Sequence, residues 1–259
     1  MDSRCAVALP ENARVFFGGV VVRPEALVST RLAARWRAAA PEWLRPLAAP
    51  AAWRGAWTEH GPAVRRWAID FPPDSDRRSE PEWAWRRFVA GGARLPPRAA
   101  GAELRIALAK TERYLATPAA RRQTDWRWLP GHFLPQRGLV VLVRDDGFLA
   151  AVAASYWMEV WRQAQPGPVG LALWRAFPFP WAPDTPRSAL SREQEDRRTS
   201  VVQAARAAGV GAAAGGGNFP TADLTTAVAA AYGWPGALAG AEALARLQAL
   251  NAQRAAGSR

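Results

Sequence analysis

Four prolines fall within the eleven residues Ala176-Phe177-Pro178-Phe179-Pro180-Trp181-Ala182-Pro183-Asp184-Thr185-Pro186. Proline has no backbone N–H and its ring clashes with the preceding helical turn, so neither a helix nor an internal strand can run through this stretch. It is a connector, and it parts a region of mixed strand and helix signals from a region of helix signals. We expect an α+β fold: a strand-rich domain with packed helices over residues 1–181, a linker with a helix over 182–220, and a small helical tail over 221–259.

Upstream of the connector, Leu139-Val140-Val141-Leu142-Val143 is the clearest strand and Arg144-Asp145-Asp146-Gly147 the clearest turn. Arg14 to Arg23 predicts two short strands, Trp67-Ala68-Ile69-Asp70-Phe71 a strand ended by Pro72-Pro73, and Glu80 to Phe88 a short helix. Leu27, Leu32, Ala33 and Trp36 recur at helical spacing between Pro24 and Arg37. Leu104 to Ala109 and Tyr114 to Ala116 read as a strand pair around the polar turn Lys110-Thr111-Glu112-Arg113. Leu149, Val152, Ala153, Tyr156, Val160 and Trp161 predict one amphipathic helix over Phe148 to Gln163. Downstream, Ser188 to Ala208 is expected to be helical, Val210 to Pro220 flexible, and Thr221 to Ala231 and Ala239 to Ala255 a helix pair interrupted at Gly233 and Pro235. No internal repeat is visible.

The formal charge is +12 with a pI near 11.4, which favours polyanionic partners, nucleic acid first and an anionic membrane surface second. Lys110 is the one lysine among 34 basic residues, and Ala, Gly, Pro and Trp are abundant, a composition that a GC-rich genome also imposes. Cys5 is the single cysteine, which suits a reducing compartment, and no run approaches the roughly 18–20 apolar residues of a membrane span. A cytoplasmic protein without membrane contact is expected.

No catalytic constellation is present in the sequence. An adenine methyltransferase needs a Gly-rich loop after a strand for S-adenosylmethionine and an N/D-P-P-Y/F/W loop to hold the adenine amino group. Phe71-Pro72-Pro73-Asp74 has the prolines without an acid or amide before them or an aromatic after, and Gly215-Gly216-Gly217 follows no strand. A nuclease lysine two residues after an acid is excluded because Leu108 precedes Lys110. Cys5, His60 and His132 are too few for a metal site. Asp145-Asp146 belongs to a turn, where Asp is favoured by local backbone hydrogen bonds.

Two elements together resemble a known family. The run Leu173-Trp174-Arg175-Ala176-Phe177-Pro178-Phe179-Pro180-Trp181, and the segment Leu224 to Asn251 around Ala230-Ala231-Tyr232-Gly233-Trp234-Pro235, resemble the end of the target-recognition domain and the tail of large bacterial adenine N6 DNA methyltransferases of the type IIL (MmeI-like) and BREX phage-exclusion kind. That family's strand, acidic turn and aromatic-ended helix resemble Leu139 to Val143, Asp145-Asp146 and Phe148 to Trp161. Trp67 to Phe71 and Gly18 to Ala26 resemble two of its earlier strands, and Leu104 to Tyr114 falls where it has a strand leading to its base-reading region. Val210 to Asn218 departs from it. The methyltransferase half of such a protein has no counterpart here.

The resemblance implies recognition of double-stranded DNA by a detached specificity module, with no cofactor bound by this chain. S-adenosylmethionine would belong to a separately encoded methyltransferase partner. Between Glu103 and Arg144 the net charge is +5. Arginine reads guanine, Gln adenine and carboxylates cytosine, so Lys110, Glu112, Arg113, Gln123 and Arg127 are the base-reading candidates. Arg121, Arg122, Arg137 and Arg144 are candidates for phosphates. Trp126 and Trp128, between arginines, could stack on bases, whereas Trp157, Trp161 and Trp174 lie on elements that should be buried. The alternative expectation is a truncated gene remnant, or a protein-interaction partner of a methyltransferase, that reads no DNA itself.

Overall fold

Leu139–Leu142 carries no polar side chain because both of its faces are covered. The computed structural model describes residues 6–38, 43–55, 57–58, 60–71, 81–90, 101–119, 125–144, 147–165, 170–210, 221–236 and 238–257. An antiparallel sheet runs β1 (Phe16–Gly18), β10 (Leu139–Leu142), β7 (Arg113–Pro118) and β8 (Arg127–Pro130) in that order. A second sheet runs β2 (Leu27–Ser29), β6 (Arg66–Ile69), β3 (Leu44–Ala48) and β9 (Leu134–Pro135), with β3 and β9 parallel. The short pair β4 (Trp57–Thr58) and β5 (Gly61–Pro62) stands apart.

Strand parity stacks these sheets. Phe16, Leu115, Val140 and Leu142 enter one core, while Phe17, Tyr114, Ala116, Leu139 and Val141 enter another that also holds Leu47, Ala48 and Ala68 of the second sheet. Trp67, Ile69, Val28 and Leu44 then face a third core with Ala33 and Ala84, which lie on α2 (Thr30–Arg37) and α3 (Glu82–Ala90). The result is four layers: two helices, sheet, sheet, and a helical layer. α4 (Ala102–Leu108) adds Leu104 and Leu108 to the core between the sheets.

The helical layer comprises α5 (Gly147–Ala153), α6 (Tyr156–Ala164), α7 (Leu171–Ala176), α8 (Arg192–Ala207), α9 (Ala222–Tyr232) and α10 (Gly240–Gly257). Its core joins Trp157, Trp161, Trp174, Phe177 and Phe179 with Val201, Leu224, Val228 and Leu247, so α8, α9 and α10 share one interior with the first sheet. Burying each large side chain contributes about 1.5–3 kcal/mol. Residues on both sides of residue 181 therefore share one continuous core. Ser191 starts α8 with a reciprocal capping box to Gln194, and Thr221 caps α9. Gly233, at φ +73°, ends α9 and turns Trp234 back so that its ring stacks on Tyr232 at 4.2 Å.

The connector is buried over residues 176–179, and its carbonyls are claimed by side chains from both ends of the chain. Asn12, on the short helix α1 (Pro10–Ala13), donates to the carbonyls of Trp174, Arg175 and Phe177. Asn251 of α10 donates to that of Ala176, the Tyr232 hydroxyl to that of Pro178 at 2.8 Å, and Arg254 to that of Pro180 at 3.0 Å. The prolines themselves offer no donors with which to build a ladder, so these groups satisfy the backbone instead. Phe-Pro-Phe-Pro and Tyr-Gly-Trp are thereby in direct contact.

Several local expectations give way. Leu104 to Ala109 is helix α4 rather than a strand: alternation at Leu104, Ile106 and Leu108 fits a strand, but Leu104 and Leu108 also lie one helical turn apart, and Ile106 is exposed. Phe148 to Gln163 is two helices, broken at Ser155, whose hydroxyl donates to the Val152 carbonyl at 2.7 Å and whose extended backbone precedes α6. Residues 148–153 are all buried, so the first of them is not amphipathic. Leu27 sits in β2, ahead of a helix capped by Ser29. Arg14 to Arg23 holds one strand and a single bridge from Val20 to Gln136. Asp145-Asp146 and the expected flexible segment 211–220 lie outside the described residues. No helix among the described residues is long and apolar enough to cross a membrane.

Candidate nucleic-acid interface

Lys110, Glu112 and Arg113 are brought together as an exposed turn between α4 and β7. The turn is braced from beneath by Gly131, whose N–H donates to the Glu112 carbonyl at 2.6 Å. A Cβ at Gly131 would stand 2.1 Å from the Thr111 carbonyl oxygen, so a side chain there has no room. Arg127 lies on β8 opposite Ala116, one register step from the pair Leu115 and Trp128, and therefore points to the opposite sheet face from Arg113. Its fork is held by Asp125 through bonds of 3.0 and 2.9 Å, and it lies over the Trp57 ring.

Arg137 is exposed on the turn between β9 and β10. Arg144 donates to the Thr185 carbonyl at 2.8 Å and so holds the connector. Arg121, Arg122 and Gln123 lie outside the described residues. Trp126, weighed above for base stacking, is instead buried edge-on against Trp174, at 5.0 Å between ring centroids. Trp128 is half-buried beneath the Arg113 guanidinium. Trp157, Trp161 and Trp174 are fully buried, as their spacing implied.

The sequence concealed a charged clamp between the two sheets. Asp70 is 5% exposed; it accepts from Arg105 at 2.6 Å and from Arg45 at 3.3 Å. Arg45 also donates to the carbonyls of Gly131, His132 and Phe133, tying β3 to the loop below the Lys110 turn. Two arginines on one buried carboxylate leave a local excess of positive charge. The signal available beforehand was Asp70 itself, an acid inside an apolar strand, which requires partners. A groove of about 1110 Å³ opens over this clamp, with Arg37, Trp67, Thr111 and His132 on its walls. Burial first, and then Arg45 and Arg37, hold the His132 imidazole below its ordinary pKa.

A second feature missed in the sequence is an arginine face beside that groove. α2 carries Arg31, Arg35 and Arg37 without an acid, and its first residue, Thr30, bonds the Arg65 carbonyl where β6 begins. Arg66 pairs with Ser29, and Arg37 lies over the Trp67 ring at 4.8 Å. Among the described residues, none forms an ion pair with Arg31, Arg35, Arg65 or Arg66. All four are exposed. The groove itself reaches from Arg37 on α2 to Ala109 and Thr111, which flank Lys110. Among the described residues, no group of three or more His, Cys, Asp or Glu side chains is placed to hold a metal ion.

No protein-family model matches the chain, and no curated protein matches it in sequence. In structure it is similar to the Type IIL restriction-modification enzyme MmeI, solved in complex with DNA, at a TM-score of 0.55 over 93% of this chain. Sequence identity is 11%, so the likeness is one of fold. The chain spans 36% of that enzyme's length.

Proposed function

We propose that this chain binds double-stranded DNA in a sequence-specific manner, as a detached specificity module for an adenine N6 DNA methyltransferase encoded separately. The observation that carries this is the fold likeness to an enzyme solved with DNA, which extends over nearly the whole chain. The arginine face supports it: exposed guanidiniums without acidic partners repel one another, and phosphates relieve that repulsion. Arg31, Arg35, Arg65 and Arg66 would grip the backbone, with Arg137 a further phosphate contact. Lys110 and Glu112, on a turn fixed by Gly131, would be the residues that read base edges. Arg127, held by Asp125, would position the β7–β8 hairpin. Methyl transfer and S-adenosylmethionine would belong to the partner, in a restriction-modification or phage-defence setting, and no chemical step is assigned to this chain.

The test is binding of the purified chain to a mixed-sequence duplex library across a salt series, with the retained duplexes sequenced. If about five phosphates are neutralised, affinity should fall roughly a hundredfold or more between roughly 50 and 200 mM salt, and one short asymmetric motif should be enriched. Arg31→Gln and Arg65→Gln should each flatten the log–log salt dependence by about one unit without altering the motif. Weak binding with no enriched motif would overturn the proposal in favour of a protein-interaction role or a truncated remnant.

A further inference from the structure

Across the molecule from the arginine face, on the helical side of the first sheet, lies a second concavity of about 490 Å³. Its walls come from the β7–β8 edge, from the start of α5 and from one face of α8, where Arg198, Val202 and Arg206 follow at four-residue spacing beside Thr199 and Gln203. Arg113 and Trp128 close the sheet side, with the Arg113 guanidinium 4.4 Å from the centre of the Trp128 ring. Arg187, just before α8, completes the ring of guanidiniums.

These arginines converge from parts of the chain more than seventy residues apart, so helix spacing alone does not account for their meeting. Glu195 bonds Arg187 and also accepts from Arg198, at 3.5 Å. Arg206 has no ion-pair partner among the described residues and is exposed at the last turn of α8. Guanidiniums gathered from several directions round one concavity offer a multivalent anion charge-assisted hydrogen bonds from more than one planar fork. The Thr199 hydroxyl and Gln203 amide add neutral donors on the same wall. A tetrahedral group with several acceptor oxygens suits donors that approach from three sides better than a planar carboxylate does.

We propose that this pocket binds a phosphate group, with Arg113 and Arg206 as the principal contacts and Arg187, Arg198, Thr199 and Gln203 around them. The site lies on the opposite outer layer from Arg31 and Arg65, so it goes beyond the duplex-binding surface and stands or falls separately from it. The phosphate could be a free anion or part of a nucleic-acid backbone, and the experiment separates these sources.

Arginine Nε–Hε resonances of the full chain, assigned through single Arg→Lys variants, are followed during titration with inorganic phosphate, with chloride at matched ionic strength, and with a short mixed-sequence duplex. Saturable shifts of Arg113 and Arg206 with phosphate but not chloride are expected, and Arg206→Gln should weaken phosphate binding about tenfold. Arg206→Lys should retain part of the affinity, whereas Arg54→Gln, at an exposed arginine outside both concavities, should leave it unchanged. Shifts of the same signals by the duplex, competed by phosphate, assign the site to backbone phosphates; shifts by phosphate alone assign it to a free anion. Phosphate shifts no different from those of chloride, or an affinity that changes less than about twofold in a folded Arg206→Gln variant, overturn the proposal.

Discussion

Replacing Asn251 by alanine tests whether the helical tail is part of the same cooperative unit as the sheets. The Asn251 amide donates to the buried Ala176 carbonyl at 2.7 Å and to the Val7 carbonyl at 2.8 Å, and its oxygen accepts from the Val7 N–H at 3.1 Å. The side chain is 4% exposed, so the alanine variant leaves the Ala176 carbonyl in a dry interior. An unmade buried hydrogen bond costs about 1–3 kcal/mol, and the two bonds to the exposed Val7, which water can replace, add less. A total of about 3 kcal/mol follows, equivalent to about 6 °C in Tm for a chain of this size. The assay is urea unfolding of the full chain, followed by tryptophan fluorescence and far-ultraviolet circular dichroism, with the exposed Gln253→Ala as control. Both probes should shift together by the full amount, because Trp157 and Trp174 share a core with Leu247. A loss below about 1 kcal/mol, or two separate transitions of which only one moves, would refute the inference that the tail completes the core around the connector.

Asp70→Asn should destabilise the chain by about 3 kcal/mol or more, since it leaves Arg105 and Arg45 beside a neutral group in the interior; denaturant unfolding measures it, and a loss under about 1 kcal/mol would show that the clamp is well solvated. For His132, the depressed folded pKa means that the unfolded chain takes up the proton more readily, so stability present above about pH 6.5 is lost as pH falls through the folded value. His132→Asn should therefore lose less stability than the parent on acidification from about pH 7 to about pH 5, by a small margin because the residue is only partly withdrawn from solvent; parallel unfolding midpoints at all pH values would contradict this.

Much of the fold was legible locally. The apolar run Leu139–Leu142, the Ser191 and Thr221 helix starts and the Gly233 stop are each encoded within a few residues, where strand parity, capping and left-handed backbone act. The same locality explains the misreadings: apolar residues at 104, 106 and 108 satisfy two periodicities, and only packing of Leu104 and Leu108 between the sheets chooses the helix. Fourteen tryptophans could be weighed one by one for burial, yet Trp126 and Trp128 differ only through what the fold lays over them.

The candidate surfaces were less legible. Charge density drew attention to residues 103–144, and of those arginines Arg127 and Arg144 are engaged by Asp125 and the Thr185 carbonyl, while the acid-free face of Arg31, Arg35, Arg65 and Arg66 arises from two segments that meet only when β2 pairs with β6. By itself, the sequence determined that neither a helix nor an internal strand could run through residues 177–186, that Leu139–Leu142 would be a strand, and that the chain would be strongly basic. Tertiary structure alone decided that Asn12, Tyr232, Asn251 and Arg254 would capture the connector's carbonyls, that Asp70 would clamp Arg45 and Arg105, and that Arg113 and Arg206 would line one concavity. The reason is range: periodicity and capping act over a few residues, whereas these pairings depend on sheet register and helix docking between segments far apart in the chain.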